Sequence, residues 1–122
     1  MRIMQTALAS LTLFSAASFA DCDAPASPVL PDGATASMQD MLEGQKAVKA
    51  FQAANMDYMG CLEKVFNAAA KDADSGNDDE KAAATEVHDK AVAAYNDAVS
   101  KEEEVAGQFN TEIREYKAAN PG

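Results

Sequence analysis

The sequence lacks tryptophan, contains one histidine, and has only 10 Lys and Arg residues against 20 Asp and Glu. Its formal net charge is therefore −10 at pH 7. A surface with this excess of carboxylates repels phosphate backbones and anionic lipid headgroups. We expect neither a nucleic-acid partner nor a role on a membrane surface.

Long apolar runs are confined to the first twenty residues. Arg2 precedes a largely apolar stretch at 3–14, and the small residues at 18 and 20 are typical of a cleavage site. This pattern predicts a signal peptide over residues 1–20 and a periplasmic or secreted mature chain with a net charge of 9 − 20 = −11. After residue 20 no apolar run reaches about 18 residues, the minimum for a transmembrane helix, so we expect no membrane insertion.

Large branched and aromatic apolar residues are also scarce. Leu, Ile, Val and Phe supply 14 of the 102 residues after position 20, a low content that is common in disordered chains of high net charge. Alanine, the strongest helix former, supplies 22 of the same 102 residues. We therefore expect a helical protein with a thin core.

Proline is restricted to one segment and the penultimate position. Pro25, Pro28 and Pro31, with Gly33 close behind, exclude a regular helix before residue 37 and favour extended chain. We predict an extended, proline-rich arm over residues 21–37.

Two helical stripes follow the arm, so residues 38–122 are predicted to form an all-α, coiled-coil-like hairpin. Ser37 with Asp40, and Asn77 with Glu80, resemble capping boxes. Apolar residues recur at helical spacing from about 38 to 71 and from about 79 to 118, and the turn signal Ser75-Gly76-Asn77 lies between them. Two long helices joined by so short a turn must be antiparallel.

The position of the turn predicts which residues face each other, because facing numbers must sum to roughly 153 or 154. Gly44 then lies opposite Phe109. A glycine inside a helix is destabilising, and the room that Gly44 leaves for the facing aromatic ring would offset this cost. The other predicted neighbours are Tyr58 with Tyr95, Leu62 with Ala91, Val48 with Val105, Asn55 with Ala98, and Phe51 with Glu102.

Cys22 and Cys61 are the two cysteines, and in an exported chain a single bridge is the default. The 23 helical residues from Met38 to Cys61 span about 35 Å, and an extended arm of sixteen steps reaches about 50 Å. The arm can therefore fold back along helix 1, lay Val29 and Leu30 on the hairpin, and form a disulfide with Cys61.

Two groups of polar residues are candidates for metal or proton chemistry. Residues 72–80 are acidic, but an EF-hand begun at Asp72 would have Gly76 at its fifth position and Ala83 where the bidentate Glu belongs. A solvated turn is the first interpretation, and a low-affinity divalent-cation binder is the alternative. His88 has no potential ligand one helical turn away, and we expect neighbouring Asp89 to point elsewhere. We predict no catalytic, cofactor-binding or metal site, and no cofactor.

Helix 1 has more apolar residues than one facing helix can cover. Methionine and aromatic side chains form adaptable interaction surfaces, so either the arm covers them or they form a candidate partner surface comprising Met38, Met41, Met56, Met59 and Phe66. Glu102 lies on the predicted seam, where it needs a partner such as Lys49 or water.

The stretch from Gln45 to Leu62, after an arm that contains Cys22, resembles small uncharacterised exported proteins of Gram-negative bacteria. That resemblance implies no particular activity. We expect an exported, non-enzymatic binding or structural protein, since two helices with one histidine offer neither a catalytic pocket nor a paired set of titratable groups. The sequence leaves room for an unknown protein partner without identifying one. A monomer is favoured over a homodimer that forms a four-helix bundle, and an enzyme of unknown type is the remaining alternative.

Overall fold

The structure, a computed structural model, describes residues 22–122. The predicted signal peptide lies outside the described residues. Two helices, α1 (Met38–Ser75) and α2 (Asp78–Ala119), pack against each other, and an extended arm at 22–37 precedes them. The predicted all-α hairpin with a disulfide-linked arm is confirmed.

Both predicted capping boxes form. At α1 the Ser37 hydroxyl accepts from the Asp40 N–H at 3.1 Å, and the Ser37 N–H donates to the Asp40 carboxylate at 3.0 Å. This second bond lowers the pKa of Asp40, because it stabilises the ionised carboxylate. At α2 the Asn77 side chain accepts from the Glu80 N–H at 2.9 Å. Residues 37 and 77 thus set where each helix begins.

The turn between the helices is shorter than predicted. We expected α1 to end near residue 71, but it continues to Ser75, and only Gly76 and Asn77 separate it from α2. Residues 61–75 contain no proline or glycine that would end the helix earlier, and the Gly76 N–H donates to the Asp72 carbonyl at 3.2 Å. The acidic residues at 72 and 74 therefore belong to the last turn of α1.

The predicted register is confirmed at the positions that can be checked by contact. A Cβ placed on Gly44 would lie 3.2 Å from the Phe109 ring, and the Asn55 side chain donates to the Ala98 carbonyl at 2.9 Å. Leu62 and Ala91 are both fully buried, with 0% of their surface exposed. The two contacting pairs each sum to 153, and the burial of Leu62 and Ala91 agrees with the same register.

The aromatic residues of the seam pair differently from the prediction. Phe66, not Tyr58, makes the ring contact that the described residues show for Tyr95, with centroids 5.9 Å apart. Helical side chains lean toward the N-terminus of their own helix. In an antiparallel pair, the side chains of one helix therefore lean in the opposite axial direction to those of the other. Long side chains then meet partners that are not directly opposite in the register.

The core is concentrated in the half of the hairpin farthest from the turn. Its buried cluster consists of Met41, Val48, Phe51, Val105 and Phe109. Leu30 and Ala36 of the arm pack against it from outside. Toward the turn the buried seam consists of Leu62 and alanines at 69, 84, 91 and 98. The thin core expected from composition is therefore an alanine seam with one larger cluster at its open end.

The arm crosses the helices at Gly33. A Cβ at this position would lie 1.8 Å from the Glu112 carbonyl oxygen, so only glycine permits this approach of the two backbones. The Gly33 N–H also donates to the Glu112 carboxylate at 2.7 Å. Next to it, the Asp32 side chain accepts from Ala34 at 3.0 Å and shapes the turn that leads into α1.

One expectation about the arm is wrong. Leu30 packs against the core, as predicted, but 93% of the surface of Val29 is exposed. The arm is proline-rich and forms no strand, and a polyproline-like chain has about three residues per turn, so Leu30 and Pro31 can share the face toward the hairpin while Val29 points to solvent. Pro31, two residues from Val29, contacts the hairpin instead, at 2.7 Å from the Cβ that Gly44 lacks.

The far end of the arm is joined to α1 by the predicted Cys22–Cys61 disulfide, with Cα atoms 5.6 Å apart. The arm thus runs antiparallel to α1, from the middle of that helix to its first residue. In the described part of the chain, neither helix has an apolar window long enough to cross a membrane.

Candidate functional site

An open groove runs along one side of the helix pair, between the disulfide and the turn. It has a volume of about 800 Å³. We call it the turn-end groove, and its lining comprises Cys22, Cys61, Lys64, Val65, Ala68, Ala69, Asp72, Ser75, Gly76, Glu80, Ala83, Ala84 and Val87. Cys22, the first residue that the structure describes, lies at its edge, so the described arm and the groove share one side of the hairpin.

The groove exists because small side chains line both helices there. Ala69 and Ala84 are buried and form its floor, while Ala68 and Ala83 are exposed along its sides. Val65 is half-buried. The arm covers the corresponding surface nearer the open end of the hairpin, where Leu30 and Pro31 lie near Gly44. Beyond Cys22 no described residue of the arm continues that cover.

The rim of the groove is charged and more acidic toward the turn. Lys64 lies on it near the disulfide, and Asp72 and Glu80 lie on it near the turn. Glu80 is engaged by the Asn77 N–H at 3.3 Å, whereas Asp72 forms no ion pair with another residue of the described chain. Residues 71–81 carry two lysines and five carboxylates, a net charge of 2 − 5 = −3.

The predicted partner surface is not gathered into one patch. Met41 is buried in the core cluster, and Phe66 is half-buried, with its ring 6.0 Å from His88 and 5.9 Å from Tyr95. Met38 and Met56 are exposed at 59% and 65%, and Met59 is half-buried. The seam and the aromatic contacts therefore use two of the five residues that we assigned to a partner.

One predicted side-chain environment, that of Asp89, requires correction, and Glu102 has a partner that the sequence analysis did not name. Asp89 does not point away from His88, because its carboxylate lies 3.2 Å from the His88 Nδ1. Glu102 is not paired with Lys49; it accepts from the Asn55 side chain at 3.4 Å. Asn55 is only 2% exposed, and its two acceptors satisfy the two donors of its side-chain NH2 group. In both contacts, a polar side chain is bonded to a neighbouring carboxylate.

A cluster of carboxylates joins the arm to α2. Asp32, Glu112 and Glu115 can bring ligand oxygens within 4.8 Å of one another. The charge on Glu112 raises the pKa of Glu115, because a second carboxylate disfavours its ionised form, and burial and Asp32 act in the same direction. Glu112 already accepts the Gly33 N–H, which gives this cluster a role in holding the arm.

The acidic turn does not form a comparable cluster. Within residues 22–122 the group at Asp32, Glu112 and Glu115 is the single set of three potential metal ligands this close together. The carboxylates at residues 72–80 are spread over the end of one helix and the start of the next.

The sequence pattern did not predict the turn-end groove. The register that predicts Leu62 opposite Ala91 also places Ala69 opposite Ala84, and the predicted reach of the arm ends at Cys61. Those two facts together indicate uncovered space beyond the disulfide. Comparison with known proteins adds no further assignment, because no family model, curated protein or solved structure matches the chain.

Proposed function

We propose that this chain is an exported, non-enzymatic binding protein whose partner occupies the turn-end groove. The observation that carries the proposal is the groove itself, an opening of about 800 Å³ between two helices that continues the line of the arm. A concave, largely apolar surface of this size is typical of binding sites. The arm supplies an internal example, since the same side of the hairpin already accepts an extended segment of chain.

Export to the periplasm or the exterior rests on two observations. The first is the leader pattern of residues 1–20, with its charged start, apolar centre and small cleavage residues. The second is the Cys22–Cys61 disulfide, a bond that persists in oxidising compartments.

A non-enzymatic role is favoured by the chemistry of the groove. Its titratable side chains are Lys64, Asp72 and Glu80, of which Glu80 is used to cap α2. His88 packs against Phe66 and contacts Asp89, and it does not line the groove. A hydrolytic or acid–base mechanism requires a nucleophile or base with a partner that activates it, and these side chains do not form such a pair.

Site-specific photocrosslinking in the producing cells tests the proposal. A photoreactive amino acid at position 68 lies on the side of the groove, and one at position 53 lies on an exposed face of the same helix away from it. We expect a covalent adduct with a discrete partner from position 68 and none from position 53. Equal labelling from both positions, or none from position 68, contradicts the proposal.

The alternative, a low-affinity divalent-cation binder at the acidic turn, makes a different prediction. A ligand that binds the folded state raises the melting temperature. Calcium would then raise the melting temperature of the wild type but not that of an Asp78→Asn, Asp79→Asn variant. The spread of the turn carboxylates over two helix ends does not favour this alternative.

A further inference from the structure

We infer that the occupant of the turn-end groove is an extended polypeptide segment with apolar residues along the floor and basic residues at the turn. This inference rests on the proposed function and specifies the chemistry of the partner. Three features carry it: the continuity of the groove with the surface that the arm occupies, the dimensions of the groove, and the sign of its charge.

Continuity indicates an extended segment in preference to a helix. The arm lies on the hairpin as irregular, proline-containing chain, and contact with Gly44 is made by the Pro31 ring. Cys22 ends this arm at the edge of the turn-end groove, and both half-cystines belong to the lining of the groove. A second segment of the same conformation would continue along the same line. Prolines reduce the entropy that such a segment loses on binding.

The dimensions define its length and its side chains. From Cys61 to Ser75 the groove follows fourteen helical steps, or about 21 Å. An extended chain covers that distance with about six residues. Because Ala69 and Ala84 form the floor, there is depth for side chains of the size of valine, leucine or proline.

The charge at the turn indicates basic residues. Asp72 lies on the rim without an ion-pair partner among the described residues, and residues 71–81 have a net charge of −3. The last turn of α1 contains no basic residue, so no side chain within that turn offsets the charge of Asp72. A lysine or arginine of the partner would be attracted to this end of the groove.

Two other occupants are less compatible with these features. The first is the chain's own segment before Cys22, which would consist of Asp21 alone if cleavage follows Ala20, as we propose. A second copy would bring a net charge of −11 to an acidic rim, and its arm is itself acidic, with Asp23 and Asp32. A basic, extended segment of another protein satisfies both the shape and the charge.

Fluorescence anisotropy with two matched peptides on the mature chain tests the inference. Both peptides end with PVLP, the arm's own residues 28–31; one begins with two lysines and the other with two glutamates, because a segment that runs in the same direction as the arm has its N-terminus at the turn. We expect the lysine peptide to bind about tenfold more tightly, because two weak attractions become repulsions. Asp72→Asn should weaken binding of the lysine peptide by about two- to fivefold and tighten binding of the glutamate peptide, because it removes an attraction from the first and a repulsion from the second.

Variants that fill the groove locate the binding. Ala68→Leu and Ala83→Leu add bulk at exposed positions on its two sides, and each should weaken the lysine peptide by about tenfold. Ala53→Leu and Ala93→Leu make the same change at exposed positions outside the groove and should bind as the wild type does. Circular dichroism verifies that all four variants keep their helices.

The outcomes separate the inference from the proposed function. Equal affinity for the two peptides, or an effect of Ala53→Leu as large as that of Ala68→Leu, overturns the inference. If neither peptide binds but position 68 still crosslinks to a partner, the inferred chemistry is wrong and the proposed function stands. A wild-type dimer that Ala68→Leu converts to a monomer would identify a second copy as the occupant and overturn the inference. Failure of both crosslinking and peptide binding refutes both.

Discussion

Gly33→Ala is the most direct test of how the arm is held. The added methyl group would lie 1.8 Å from the Glu112 carbonyl oxygen and 2.9 Å from the Tyr116 backbone nitrogen. Both atoms belong to the backbone of α2 and cannot rotate away. The arm must therefore lift from the helix at this point.

The cost follows from the contacts that lifting breaks. The bond from the Gly33 N–H to the Glu112 carboxylate is charge-assisted and contributes about 1.5 to 3 kcal/mol. Exposing the half-buried Leu30 costs about 1 kcal/mol more. Alanine restricts the unfolded chain and offsets about 0.4 to 1 kcal/mol of this. We expect a net loss of about 2 to 3 kcal/mol, or about 10 to 20 °C in melting temperature.

Urea unfolding followed by circular dichroism measures this loss. The slope of the transition should also fall, because a lifted arm leaves apolar surface exposed in the folded state. Gly60→Ala and Gly107→Ala are matched controls within the helices, where an added Cβ meets no atom within 4 Å. Each should stabilise the protein by up to about 1 kcal/mol through helix propensity. If Gly33→Ala unfolded at the same urea concentration as the wild type, the arm would not contact α2 here.

Four further predictions concern the register, the disulfide, the charges and the state of association. Gly44→Leu should destabilise by about 1 to 3 kcal/mol in urea unfolding, because the side chain would collide with Pro31 and Phe109; a stabilised variant would contradict the register. Thiol titration of the unfolded, unreduced mature chain should find no free thiol, and two titratable thiols would refute the bridge. Cys61→Ser should make the arm sensitive to proteolysis, while circular dichroism shows an intact hairpin. Because the pKa of Glu115 is raised in the folded state, stability should fall as pH rises through the range just above an ordinary glutamate pKa. Glu115→Gln should weaken this pH dependence and be more stable than the wild type at pH 7. An unchanged pH profile would count against the pairing of Glu115 with Glu112. Sedimentation should show a monomer at low salt, because a net charge of −11 on each copy opposes association, and at high salt, because the arm still covers part of the hairpin when the charge is screened. A tight dimer at both salt concentrations would overturn this expectation.

The fold was predictable to the extent that local signals agree with one another. The two capping boxes predict where each helix starts, and the absence of proline inside the helices lets each one continue. The turn between them predicts an antiparallel pair, and its position predicts which residues meet, as Asn55 and Ala98 do. Signals of this kind depend on neighbours in the chain, so they can be read without the tertiary structure.

The candidate site was less predictable because it depends on space that no residue occupies. The methionines drew attention to helix 1, but the seam uses Met41 and the aromatic contacts use Phe66. The alanines at 68 and 83 indicate helix and nothing more when read along the sequence. They line a groove only when the two helices are packed together and the described arm does not cover them.

By itself the sequence determined the class of fold, the antiparallel order and register of the helices, and the pairing of Cys22 with Cys61, since helix propensity, capping and chain reach are properties of short segments. The tertiary structure decided the path of the arm and everything that depends on it. Gly33 carries no local signal for contact with α2, yet the approach of the two backbones determines which arm side chains pack inward and where the cover ends. Such contacts depend on distances between segments that are far apart in the chain, about 80 residues for Gly33 and Glu112, and only packing of the whole molecule sets those distances.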